Sequence, residues 1–177
     1  MIFGLFGSRR EDPLVDMLHE ATVAQSRQPS FYLDYGVADS VDGRYDLLIL
    51  HTFLMFRWLK TDEGRGARLA QALCDRVFFD LDRSLREMGV GDLSVPKRMK
   101  KMAQMFYGRV AAYEEALASA EEDDLARALD RNVYRGDGVA GEPSRRLARY
   151  VRAATGMLTT QTVRDAAPDL PDPASVG

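Results

Sequence analysis

The segment LLILHTFLMFRWL, Leu47–Leu59, is apolar almost all the way round a helical wheel. A helix of that kind has no face to give to water, so the rest of the chain must surround it. His51 and Arg57 interrupt the run, which falls short of the roughly 20 residues that a bilayer crossing needs. A central core helix over Arg44–Lys60 is therefore expected, and no transmembrane span. The jacket around it follows from periodicity. Leu69, Leu73, Val77, Leu81, Leu85 and Met88 recur at helical spacing, widened by Phe78, and predict a helix over Arg65–Met88 that Gly89 ends. Met99, Met102, Phe106, Val110, Tyr113 and Leu117 predict another from Pro96 to Ser119. Further helices are expected over Pro13–Gln28, Glu122–Tyr134 and Ser144–Leu158, with PSFYLDYGVADSVDG and GDGVAGEPS as irregular connections. No segment alternates as a strand would. At 177 residues the chain suits one domain. The expected fold is all-α, a compact single-domain bundle of about six to seven helices. It divides into an N-terminal arm at 1–12, a helical domain at 13–165 and a Pro-rich tail, AAPDLPDPASVG, at 166–177. The tail carries no core pattern and is expected to be disordered.

The stretch GVGDLSVPKRMKKMAQMFYGR, Gly89–Arg109, breaks a local rule. Pro96 suits the first helical position, which places Lys97, Arg98, Lys100 and Lys101 in the first turn and a half. Cations there oppose the helix dipole by roughly 0.3–1 kcal/mol at the outermost positions. Two explanations stand. Asp80, Asp82, Glu87 and Asp92 could fold back and neutralise the cluster. Alternatively, the four cations with Arg109 form an anion-facing patch, beside which Phe79, Met105 and Tyr107, off the core stripes, offer apolar contact to a flexible partner. The formal net charge of -3 gives no global attraction to nucleic acid or membrane, so any such attraction is local. Further on, Glu114, Glu115, Glu121, Glu122, Asp123 and Asp124 precede Arg127, Arg131, Arg135, Arg145, Arg146, Arg149 and Arg152. These either pair with one another or make a second basic surface.

Catalytic patterns are missing. No GxxxxGK[ST], GxGxxG or GxSxG motif occurs. His19 and His51 have no partner at metal-ligand spacing, and His51 reads as a core histidine. EEDDLARALD lacks the DDxxD spacing that holds magnesium in isoprenoid diphosphate synthases: Arg127 or Ala128 stands where the last acid belongs. Neither a metal nor a cofactor is expected, and the chain does not read as an enzyme. Cys74 excludes an internal disulfide and sits at a core spacing, in keeping with a reducing cytoplasm. MIFGLFGSRR is short for a secretory signal, and its charges follow the apolar run.

YDLLILHTFLMFRWL, Tyr45–Leu59, and FFDLDRSLREMGVGDLSVPKRMKKMAQMFYGRVAAYEEAL, Phe78–Leu117, resemble the ubiquinol–cytochrome c chaperone family in its bacterial form. The likeness is strong over Tyr45–Leu117 and weaker over Phe31–Thr162. It implies an assembly factor, not an enzyme, that receives newly made cytochrome b and assists its maturation into respiratory complex III. It also implies contact with the ribosome exit region and a small partner subunit, and a cytoplasmic place at the inner face of the membrane. The signature carried over comprises Asp82, Leu85, Arg86, Glu87, Gly89, Gly91, Asp92, Val95, Pro96, Lys97, Lys100, Phe106, Tyr107, Gly108 and Arg109. Of these, Asp82, Arg86, Glu87, Gly89, Gly91, Asp92, Pro96, Phe106 and Gly108 are expected to be structural, with Gly108 marking a close helix approach. The other reading is a peripheral module that binds RNA or anionic membrane and has no dedicated client.

Overall fold

The structure, a computed structural model, describes residues 12–176. The predicted arm lies outside the described residues except for Asp12. Helices α1 (Pro13–Ser26), α2 (Pro29–Leu33), α3 (Val41–Leu59), α4 (Gly66–Glu87), α5 (Val95–Ala118), α6 (Asp124–Leu129) and α7 (Glu142–Thr159) follow in order, with no strand among the described residues. A π-helical turn, Asp130–Tyr134, continues α6, and a short 3-10 turn occupies Pro173–Ser175. Local chemistry sets the starts. Proline occupies the first turn of α1, α2, α5 and α7. The Asp12 carboxylate accepts from the Leu14 amide at 3.1 Å and the Ser40 hydroxyl from the Gly43 amide at 3.1 Å. The Ser40 cap carries α3 back to Val41, earlier than periodicity indicated.

The α3 helix is the axis. Leu47, Ile49, Leu50, Phe53, Leu54, Met55, Trp58 and Leu59 are all buried, and α1, α4, α5 and α7 pack around it. Leu69, Leu73, Val77 and Leu85 of α4 are buried as their spacing requires, whereas Met88, beyond the last turn, is 55% exposed. Its expected place in the stripe is corrected: the chain turns away before that position can reach the core. His51 is fully buried. Its Nδ1 lies 2.8 Å from the Leu47 carbonyl and its Nε2 3.0 Å from the Tyr150 hydroxyl, so the ring nitrogen at Nδ1 donates and Nε2 accepts. Burial lowers its pKa to about 4.

Two segments depart from expectation. The irregular PSFYL forms α2, which inserts Phe31 into the core. The tail, expected to be disordered, is laid against the bundle over 166–176. Gln161 exchanges hydrogen bonds with the Asp169 backbone at 2.9 and 2.8 Å, and Gln25 donates to the Pro171 carbonyl at 2.8 Å. The Tyr35 hydroxyl sits 2.8 Å from the carbonyl oxygens of both Pro173 and Val176. A proline-rich segment offers carbonyls without helix or strand pairing, and here core side chains supply the donors.

Candidate functional site

The α4–α5 junction is built from its backbone outward. Gly89 has φ +79°, a left-handed value that suits glycine. Its amide reaches the Arg86 carbonyl at 3.0 Å, and the Val90 amide reaches the Leu85 carbonyl at 3.0 Å, the paired bonds of a Schellman stop. The Gly91 carbonyl then accepts from Ser94 at 2.7 Å and Val95 at 3.2 Å, which launches α5 with Val95 buried and Pro96 exposed. Arg86 clamps the turn. It holds Asp82, one helical turn back, at 2.7 Å and Asp92, in the turn itself, at 2.6 Å.

That clamp decides the fate of the cations. Arg83 pairs with Glu87 at 2.8 Å, while Asp80 faces Arg76 at 3.3 Å and His19 at 3.2 Å. Every acid expected to neutralise the cluster is thus engaged by another side chain. Lys97, Arg98, Lys100 and Lys101 are all exposed, and none takes part in an ion pair among the described residues. Periodicity on α5 puts Lys97, Lys100 and Lys101 within about 60° of the direction opposite Val95, with Arg98 to one side.

Arg109 does not join them. It is 8% exposed and faces Asp46, a completely buried carboxylate on α3, at 2.5 Å. The other Asp46 oxygen meets Arg135 at 2.9 Å, and Arg135 reaches on to Asp42 at 3.5 Å. Burial pushes the Asp46 carboxyl up, against the pull of Arg109 and Arg135. The expectation that Arg109 is a surface anion contact is therefore corrected. Arg109 follows Phe106 by three residues and precedes Tyr113 by four, both fully buried, so it stands on the core face. That spacing was the available signal.

The apolar candidates separate as well. Phe79 and Tyr107 are each 58% exposed, but Met105 is half-buried against the core. The Tyr107 hydroxyl lies 3.7 Å from Cys74 Sγ, and this contact, followed by burial, pushes its pKa up to about 12. Phe79 lies further along α4, one turn beyond Asp75. Tyr107 thus reaches α4 at Cys74, while Phe79 stands exposed on α4. Phe106 fills the interior and contacts Phe78 at 5.3 Å. Among the described residues a Cβ on Gly108 would meet nothing within 4 Å, so the close helix approach expected there is not found. The exposed apolar tip of the turn, Met88 with Leu93, was missed. Leu93 is 98% exposed between Asp92 and Ser94, a loop setting in which an apolar residue is itself a signal.

The later arginine block is mostly paired. Arg127 meets Asp124 at 2.8 Å, Arg145 meets Asp123 at 2.9 Å and Arg149 meets Glu142 at 2.7 Å. Arg146 donates to the Asp34 carbonyl at 3.0 Å and stacks on Tyr35 at 4.6 Å. Among the described residues no cluster of three or more His, Cys, Asp or Glu side chains could hold a metal ion, and no helix is long and apolar enough to cross a membrane.

The family model described as Ubiquinol-cytochrome C chaperone matches residues 33–167. The chain belongs to the ubiquinol–cytochrome c chaperone family. The crystal structure of the Cbp3 homolog from Brucella abortus superposes with a TM-score of 0.83 at 37% identity, covering 94% of this chain and 93% of that one. Ubiquinol-cytochrome c reductase complex assembly factor 1 of Mus musculus is 22% identical over 148 residues, 84% of this chain and 50% of that protein. Its Xenopus laevis counterpart is 22% identical over 130 residues, 73% of this chain and 64% of that protein. The chain thus spans between 49% and 64% of the length of the curated relatives it matches. The family match covers α3 through α7, including the α4–α5 junction and the buried Asp46–Arg109 pair.

Proposed function

We propose that this chain is an assembly chaperone that binds newly made cytochrome b and assists its maturation into ubiquinol–cytochrome c reductase. The family match over 33–167 carries the reading, because it covers the whole α4–α5 face. That face offers what a membrane-protein client needs. Phe79 and Tyr107 present apolar surface, and four exposed cations at the start of α5 have no ion-pair partner among the described residues. Lys97, Arg98, Lys100 and Lys101 serve as the anion contact, while Arg109 acts on the fold. Met105, half-buried on α5, is the third proposed client contact. The ribosome exit region and a small partner subunit are further proposed contacts, and the proposed location is the inner face of the cytoplasmic membrane. The reading assigns no catalytic residue.

The test is a reduced-minus-oxidised haem spectrum of membranes from a strain deleted for the gene. The complementing genes are the native one and one carrying Phe79→Ser with Tyr107→Ser. Loss of the complex III cytochrome b signal, restored by the native gene alone, is the expected result. An unchanged spectrum on deletion would overturn the client. The unpaired cations would then favour a peripheral RNA- or anionic-membrane-binding module.

A further inference from the structure

Lysine is scarce in this chain and unevenly placed. Its cations are mostly arginine. Of four lysines in the whole sequence, Lys60, Lys97, Lys100 and Lys101, three stand in the first turns of α5. Arginines do nearly all the internal pairing, as a planar fork suited to carboxylates should, and Lys60 with Glu114 is the one lysine pair among the described ion pairs. The three clustered lysines are instead compact, hydrated point charges left facing water, with Arg98 beside them. Their acidic neighbours are engaged elsewhere. In particular Asp92, next to Leu93, is taken by Arg86 at 2.6 Å, so the tip of the turn carries an exposed leucine without a free negative charge. Leu93 is 98% and Met88 55% exposed.

The geometry points to an anionic phospholipid bilayer as the partner of the α4–α5 turn. Leu93 and Met88 enter the boundary between headgroups and acyl chains, and Lys97, Arg98, Lys100 and Lys101 meet the lipid phosphates. An aliphatic tip rimmed by cations is the arrangement that gains both from apolar burial and from a negative surface potential. Single-stranded RNA would instead call for aromatic platforms among the cations. The exposed aromatic on α5, Tyr107, lies six residues beyond Lys101, about 9 Å along the helix axis. Because the whole chain carries a formal net charge of -3, attraction to an anionic surface depends on this patch. The inference deepens the proposed function by naming the surface on which the chaperone works. Its test contains no cytochrome b, so either can fail alone.

The full chain is mixed with vesicles of equimolar phosphatidylcholine and phosphatidylglycerol, or of phosphatidylcholine alone, and floated at low and high salt. Binding to the anionic vesicles, weakened by salt and missing with the neutral ones, is expected. Changing Lys97, Arg98, Lys100 and Lys101 to Gln together should lower the affinity roughly 100-fold or more. Leu93→Asp, on a side chain that supports no packing, should lower it roughly tenfold or more. Leu93→Trp should shift its emission to the blue on anionic vesicles, against a constant background from buried Trp58. Equal binding to both vesicle types, no binding to either, or unchanged affinity in the charge variant would overturn the proposal. So would polyuridylate binding that needs the cations while Leu93→Asp leaves vesicle affinity intact, an outcome that assigns the patch to RNA.

Discussion

Arg109→Met separates a structural cation from a surface one. The native side chain is 9% exposed and faces a carboxylate with no exposure at all. Removing one partner of a buried ion pair costs about 3–5 kcal/mol, because the remaining charge is stranded in a medium that solvates it poorly. Arg135 keeps one Asp46 oxygen at 2.9 Å, but its side chain is half in solvent. The lower end, about 3 kcal/mol, is therefore expected. For a chain of this size that lowers the midpoint of thermal unfolding by about 6–12 °C. The assay is thermal and urea unfolding followed by circular dichroism. Lys97→Met, on an exposed side chain, should stay within about 0.5 kcal/mol of the native protein. Combining Arg109→Met with Asp46→Leu should recover most of the loss, since an apolar pair replaces an ionic one at little or no cost. Arg135 then retains Asp42 as a partner. The reasoning is refuted if Arg109→Met changes stability by less than about 1 kcal/mol, or if the double variant is no more stable than the single one.

Two glycines on the same pair of helices should respond in opposite directions to alanine. Gly89→Ala forces a side chain into left-handed backbone and should cost about 1–2 kcal/mol, whereas Gly108→Ala fills open space inside α5 and should add up to about 1 kcal/mol, both read from urea midpoints. His51 sets an acid limit. It takes a proton near pH 4 in the fold and near 6.5 when unfolded, so between those values the unfolded chain holds more protons and stability falls as pH falls. The loss should approach about 3 kcal/mol by pH 4, and His51→Gln should flatten the slope of stability between pH 6.5 and 4.

The scaffold was largely legible because its helices advertise one face or none. The α4 stripe is visible because polar residues fill the opposite side, and α3 is visible because nothing does. The α2 helix and the tail were not legible for a different reason. Phe31, buried in the core, anchors α2, and Tyr35 and Gln25 hold the tail through bonds to Pro171, Pro173 and Val176 that join positions far apart in the chain. Composition reports whether a segment can build a core of its own. It is silent on whether an existing core will lend that segment its hydrogen-bond donors.

Charge divides in the same way. Whether the cations beyond Pro96 were free or neutralised was open in the sequence, yet part of the answer lay at helical spacing. Asp82 with Arg86 and Arg83 with Glu87 are each four residues apart, so those acids had partners on their own helix before any cation of α5 could claim them. Arg109 needed more. Its place between Phe106 and Tyr113 marked it for burial, but a buried guanidinium is tenable only with an acid opposite, and Asp46 lies on another helix, immediately before the most apolar segment of the chain. The acid at the head of the core helix and the base on a core stripe are one interaction. With that pair formed and the Arg86 clamp closed, Lys97, Arg98, Lys100 and Lys101 stand together at the start of α5 without an ion-pair partner among the described residues. Their lack of partners among the described residues follows from where the acids went, and it leaves them available to an anionic surface outside the protein.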